Sequence, residues 1–441
     1  MEMTIGLDLL RRKLDESLAT RPPAITRRDV RLPGVPGKAA AVIGIRRGGK
    51  TTFLWQVRGD RLAASRPPES QLLLSLEDER LAGMTVRELD WLLEEHERRF
   101  PGIRSSGNLT VYLDEVQTIA GWEGLVRRLV DARGIEILVA GSSARLLSRE
   151  VATSLRGRAM ETVVFPFSFR EALRHAGAEP SVPWERLTPD ERNALDHHLR
   201  RYLVEGGFPE AQGLDGRDRA ALITGYVDIV VLRDVIDRHA ISNPVALRWL
   251  ERQLLSSPGG AFSVKKHYNA LRSQGLSVGK DTLHEYLAHL EDAFLVRTIA
   301  MHSTSERQRM VNPRRAYPID PALIALFDRS GREQVGRALE TVVLVELLRR
   351  GWEVAWLRTS SGWEVDFLAH RPGDRPLLLQ VSLDTEAPGT WDREVRGLAE
   401  AAGAHPRARA TLVTLDDSPP RGPLPGRLEW LPATRWLLHA T

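Results

Sequence analysis

The chain has no cysteine among its 441 residues. That single absence removes disulfides, thiol nucleophiles and thiolate metal sites. It has no apolar run of about 18 residues, the length a helix needs to cross a bilayer. Met1–Ser17 alternates apolar and charged side chains and lacks the continuous apolar core of a secretory leader. The expectation is a cytoplasmic protein with no membrane contact. No internal repeat and no low-complexity tract interrupts the chain. Large excess charge is missing too, since the net value is only +4, so a nucleic-acid surface must come from local clustering. The basic residues are mostly arginine, which suits bidentate phosphate binding and equally reflects a GC-rich genome. With 42% hydrophobic and 27% charged residues, the composition is that of a globular chain of roughly two to four domains.

What is present is organised around Ala41–Thr52, AVIGIRRGGKTT. Gly44-Ile45-Arg46-Arg47-Gly48-Gly49-Lys50-Thr51 fits the G-x-x-x-x-G-K-[ST] phosphate loop without a gap, after a short apolar strand. Glycines 44, 48 and 49 let backbone N–H groups converge on a phosphate, with Arg46, Arg47 and Thr52 in the same cradle. Lys50 reaches the β- and γ-phosphates, and the Thr51 hydroxyl is placed for Mg²⁺. A helix opening near Lys50 adds its positive end. ATP and Mg²⁺ are the expected cofactors.

Strands then alternate with helices from about residue 40 to 170. Leu72–Leu76, Leu109–Leu113 and Ile135–Ala140 are short apolar runs suited to burial on both faces. A parallel sheet follows, with ligand at the strands' carboxyl ends. Asp114, closing a strand of V-Y-L type, is the expected Mg²⁺ partner, and Glu115 the general base that polarises the attacking water. Arg156 and Arg158 flank Gly157 and read either as an arginine finger for a neighbour's ATP or as two solvated arginines.

The ordered set VIGIRRGGKTT, VYLDEVQ, AGSSARLLSREVATSLRGR, FPFSFREAL and YLVEGGFPEA resembles a prokaryotic AAA+ family. Its members couple an ATPase to a winged helix and a C-terminal PD-(D/E)XK nuclease-like domain. The resemblance implies an α/β fold: a P-loop parallel-sheet core at 37–175 after an N-terminal helix and arm at 1–36. A helical lid at 176–244, a winged helix at 245–325 and an α/β domain at 326–441 complete the chain. It implies that Ser142, or Ser143 as alternate, senses the γ-phosphate, although a serine there also caps a following helix. It implies that Pro209 of Gly206-Gly207-Phe208-Pro209 lies near adenine, and that the protein forms a homo-oligomeric ring. Arg233 or Arg238 serves as a second phosphate sensor, or simply pairs on a helix surface.

Residues 245–320 hold eleven Lys/Arg against seven Asp/Glu. Three helices followed by a hairpin resemble a winged helix, whose third helix enters the major groove. Lys280, His284, Arg307, Arg309, Arg314 and Arg315 are the candidate contacts to DNA phosphate; the bland alternative is a protein-binding module. In the C-terminal domain, Glu340 and Asp366 match nuclease acids and are candidates for a weak metal site. The expected E-x-K is Gln380-Val381-Ser382, which lacks the second carboxylate and the lysine, so no DNA cutting is expected. The leading expectation is an ATP-driven DNA remodeller, duplex or branched DNA being the partner. The alternatives are a slow nucleotide switch holding a protein, and an ATP-gated nuclease.

Overall fold

The structure is a computed structural model. It describes residues 5–441 except 133, 142–156, 304, 306, 308–312, 329–333, 384–387, 419, 421–423, 440 and 441. It separates into two units, residues 1–165 and 166–441.

The first unit opens with helix α1 (Leu7–Ala19), which buries Leu10 and Leu14. An extended, proline-flanked arm leads to strand β1 (Ala39–Ile43). Helix α2 (Lys50–Ala63), β2 (Gln71–Ser75), α3 (Val86–Arg99), β3 (Leu109–Asp114), α4 (Trp122–Asp131), β4 (Ile135–Ala140) and β5 (Ala159–Val163) follow. The five strands form one parallel sheet in the order β2-β3-β4-β1-β5. Runs such as Leu109–Asp114 are buried throughout, as a strand covered on both faces requires. Helix α3 starts where the chain offers a capping box, Thr85 with Glu88. Val42, Phe53, Leu54, Tyr112 and Leu138 share one apolar core. Because β4 lies between β1 and β3, the carboxyl ends of those two strands flank the end of β4.

The second unit begins with α5 (Phe169–His175), α6 (Pro189–Glu205) and α7 (Gly216–Ile229). A π-helical stretch, Val230–Asp237, continues α7. Next come α8 (Pro244–Ser256), β6 (Ala261–Phe262), α9 (Val264–Ser273), α10 (Lys280–Asp292), β7 (Val296–Ile299) and β8 (Arg314–Pro318). The three strands pair antiparallel in the order β6-β8-β7, giving the helix and hairpin order expected for 245–320. Finally α11 (Ala322–Phe327), α12 (Val335–Arg349), β9 (Glu353–Arg358), β10 (Glu364–His370), β11 (Leu377–Ser382), α13 (Pro388–Ala404), β12 (Arg409–Thr414), β13 (Leu428–Pro432) and α14 (Ala433–Leu438) build a second five-stranded sheet. Its order is β13-β12-β11-β10-β9, parallel from β11 to β13 and antiparallel around β10. The described residues contain no helix long and apolar enough to cross a membrane.

Candidate functional site

The loop between β1 and α2 is shaped by backbone that most side chains avoid. Gly44 has φ +148° and Gly49 φ +100°. A Cβ at Gly44 would sit 2.1 Å from the Val164 carbonyl oxygen, so only glycine fits. Arg47 takes the left-handed region at φ +60°, a conformation costly for a non-glycine residue and characteristic of functional turns. Gly49 caps α2, so Lys50 is the first helical residue. The Lys50 ammonium is buried and donates to the Gly44 and Ile45 carbonyls at 3.1 and 3.0 Å. A cation and the unsatisfied N–H groups of a helix start thus meet inside one turn. Thr51 is exposed, Thr52 half-buried, and Arg46 lies 3.8 Å from Glu77.

The end of β3 supplies the acid. Thr51 Oγ1 donates to Asp114 Oδ2 at 2.6 Å. Asp114 Oδ1 is buried and has no hydrogen-bond partner among the described residues. Burial, with only partial relief from Thr51, pushes the Asp114 carboxyl up to about 6. An orphaned anionic oxygen beside a hydroxyl suits a hard cation, which takes oxygen ligands. Glu115 occupies the left-handed region at φ +52°, and Gln117 Nε2 donates to its Oε2. The Gln117 contact has no motif to announce it in the sequence.

Other expected site residues are distributed more widely. Ser142, Ser143 and Arg156 lie outside the described residues. Arg158 enters β5 and donates from Nε to Asp131 at 2.6 Å, an intrachain ion pair. Pro209 belongs to the second unit, at the start of a short turn over Pro209–Ala211. The preceding glycines are held there: Gly207 N–H donates to buried Asp320 at 2.8 Å. Arg233 lies 3.9 Å from Asp237 one turn on. Lys280 and His284 are exposed on α10, Arg307 is exposed beyond β7, and Arg314 is exposed on β8. Arg309 lies outside the described residues.

Arg315 is a correction. Its side chain is buried, stacked over Trp356 at 4.8 Å, and points into carboxylates instead of solvent. Strand alternation sends Arg314 outward and Arg315 inward. The guanidinium pairs with Glu364, Asp366 at 3.3 Å and Glu340 at 3.6 Å. Burial alone would weaken its charge, but the combined field of Tyr317, Asp366, Glu340 and Glu364 holds its pKa above the ordinary arginine value. The weak metal site expected at Glu340 and Asp366 is corrected by the same contact, because the protein's own cation stands there. Gln380 replaces the second acid and donates to Asp366 at 2.9 Å and to Glu394. The described residues contain no group of three or more metal-ligating side chains. Burial and the neighbouring Glu340 push the Asp366 carboxyl well above the usual range.

Residues 36–173 match the AAA domain family, and residues 196–333 match a domain of unknown function (DUF8612). The chain is 30% identical over 392 residues to the uncharacterized protein MJ1544 of Methanocaldococcus jannaschii, covering 88% of this chain and 84% of that one. An uncharacterized protein of Haemophilus influenzae is 28% identical over 345 residues, covering 78% and 82% respectively. Among solved structures, the Walker-type ATPase PABY2304 of Pyrococcus abyssi aligns with 73% of this chain and 95% of its own, at 17% identity and TM-score 0.40.

Proposed function

The chain belongs to one family with the uncharacterized protein MJ1544 and matches the AAA domain over residues 36–173, and from that premise we propose that it binds ATP with Mg²⁺ at residues 44–51 and hydrolyses it. The observation that carries this reading is the Thr51–Asp114 hydrogen bond beside a buried Asp114 oxygen that has no hydrogen-bond partner among the described residues. Thr51 and Asp114 would hold Mg²⁺, which supplies charge neutralisation at the phosphates. The loop amides and Lys50 bind and orient the triphosphate, flanked by Arg46, Arg47 and Thr52. Glu115, steadied by Gln117, takes the proton of the attacking water. Purified protein is expected to turn over ATP, and Lys50→Ala to abolish that turnover. Equal turnover in the variant would overturn the reading.

The finer reading is that ATP turnover remodels DNA, duplex or branched, in a homo-oligomeric ring. Ser142 would sense the γ-phosphate, Pro209 would lie near adenine, and Arg156 or Arg158 would reach a neighbour's ATP. The exposed Lys280, His284, Arg307 and Arg314, with Arg309, support it as phosphate contacts. Duplex or four-way DNA should then stimulate turnover. Lys280→Ala or Arg314→Ala should each lower the salt slope of DNA affinity by about one. A flat response to every nucleic acid would reject it. The engagement of Arg158 by Asp131 and the burial of Arg315 favour a second reading, a slow nucleotide switch with a protein partner. An ATP-gated nuclease is not favoured, since Gln380 and Ser382 stand where an acid and a lysine are needed.

A further inference from the structure

We propose that Arg28, in the arm ahead of β1, is a positioning residue of the nucleotide loop, tying the Gly48 carbonyl to the Phe165 carbonyl and so setting the peptide group that presents an N–H to a nucleoside triphosphate. The inference rests on the ATP reading of residues 44–51.

Arg28 is 3% exposed, a burial that arginine rarely reaches unless polar partners engage its head group. Its Nη1 donates to the Gly48 oxygen at 2.9 Å, and its Nη2 donates to the Phe165 oxygen. The residue is fixed at its other end as well. Its N–H donates to Gln56 Oε1 at 2.7 Å, and its carbonyl accepts from Gln56 Nε2 at 3.1 Å. Gln56 belongs to α2, the helix that carries Lys50. Arg28 therefore joins the arm, the loop, the helix behind it and the exit of β5.

The two ends of the loop are referenced to adjacent residues, Val164 and Phe165. Gly44 packs so closely on Val164 that a Cβ would meet its oxygen at 2.1 Å, while Gly48 is tied through Arg28 to Phe165. In a trans peptide the C=O and N–H point in opposite directions. Holding the Gly48 oxygen toward Arg28 turns the Gly49 N–H to the opposite face of the loop, as a phosphate-binding N–H must be. A guanidinium donates along two directions from one rigid plane. Lysine keeps the charge without that fork. The adjacent Arg27 is exposed and pairs with Asp60 at 2.7 Å, which makes it a control within the same arm.

The test is titration with a fluorescent ATP analogue plus Mg²⁺, alongside steady-state turnover, well below the melting temperature. Affinity should fall roughly tenfold in Arg28→Gln and about threefold in Arg28→Lys and Gln56→Ala. KM should rise more than kcat falls, and Arg27→Ala should match wild type. If Arg28→Gln does not fold, Arg28→Lys and Gln56→Ala decide the matter. Wild-type affinity in Arg28→Lys and in Gln56→Ala overturns the proposal, and so does an equal loss in Arg27→Ala. Wild-type protein that binds no analogue defeats the ATP reading itself. That outcome is distinct from variants that bind as well as wild type.

Discussion

Asp114 closes β3 and Asp366 lies within β10, each a carboxylate carried by a strand and withdrawn from water. Their surroundings differ in one respect. Asp114 has a hydroxyl on one oxygen and, among the described residues, no hydrogen-bond partner on the other. Asp366 takes the Gln380 amide and the Val381 N–H at 2.9 and 3.0 Å on one oxygen, and faces Arg315 with the other. Charge in a low-dielectric setting must be compensated or neutralised. At Asp114 the compensation is left to come from outside, as a site for a cation does. At Asp366 an arginine from β8 supplies it, and a position that resembles a nuclease metal site becomes a structural ion cluster.

Replacing the acid at the first site and its counter-charge at the second tests this contrast, and the largest effect is expected at Asp114. Asp114→Asn should lower ATP turnover by about a hundredfold or more, the scale for losing one charged group at a developing charge. Its stability should move the opposite way. The folded pKa of about 6 lies above the ordinary 3.8, so folding holds the proton more tightly. Stability therefore falls as pH rises through that window and stays reduced above it. The asparagine removes this cost, and melting at pH 8 should hold or rise by on the order of 1 kcal/mol. Lower turnover together with lower stability would break the contrast.

Arg315→Gln should do the reverse to the second cluster. Removing a buried cation from beside Glu340 and Asp366 should cost about 3–5 kcal/mol at pH 8. The loss should shrink toward pH 5, because carboxyls already pushed upward take up protons first. A melting profile with no pH dependence would show that Arg315 does not serve as their counter-charge.

The smallest effect sharpens the comparison with a third buried acid. Glu251 Oε2 on α8 is buried with no hydrogen-bond partner among the described residues, and Arg248 Nη1 pairs with that same oxygen only at 3.5 Å. Burial pushes its carboxyl up to about 7 from an ordinary 4.5. Stability should fall as pH rises between those values, and Glu251→Gln should recover on the order of 1 kcal/mol above pH 7 while changing little at pH 5. Unlike Asp114, Glu251 belongs to no phosphate-binding or strand-end motif in the sequence, so turnover should not change. An orphaned oxygen marks a ligand position only where a second feature converges on it.

Strands β1 to β4 were legible because each is a short, largely buried apolar run, unlike β5, where Met160 and Glu161 are exposed. The phosphate loop was legible because its spacing is a local backbone requirement. The ends of helices followed local signals as well, as Thr85 and Glu88 do for α3. Arg28 was not legible. It sits in a proline-flanked arm twenty residues from Gly48, and its role depends on the β5 exit at Phe165. Nor did composition separate Arg314 from Arg315. Adjacent basic residues look alike until strand register sends one to solvent and the other against Trp356.

Order along the chain thus determined by itself where the loop, its lysine and the acid after β3 must be, since each answers to neighbours within a few residues. Tertiary structure alone decided which buried charges are still owed a partner. That depends on side chains brought together from distant strands: Arg315 meets Asp366, while among the described residues nothing hydrogen-bonds the second oxygen of Asp114.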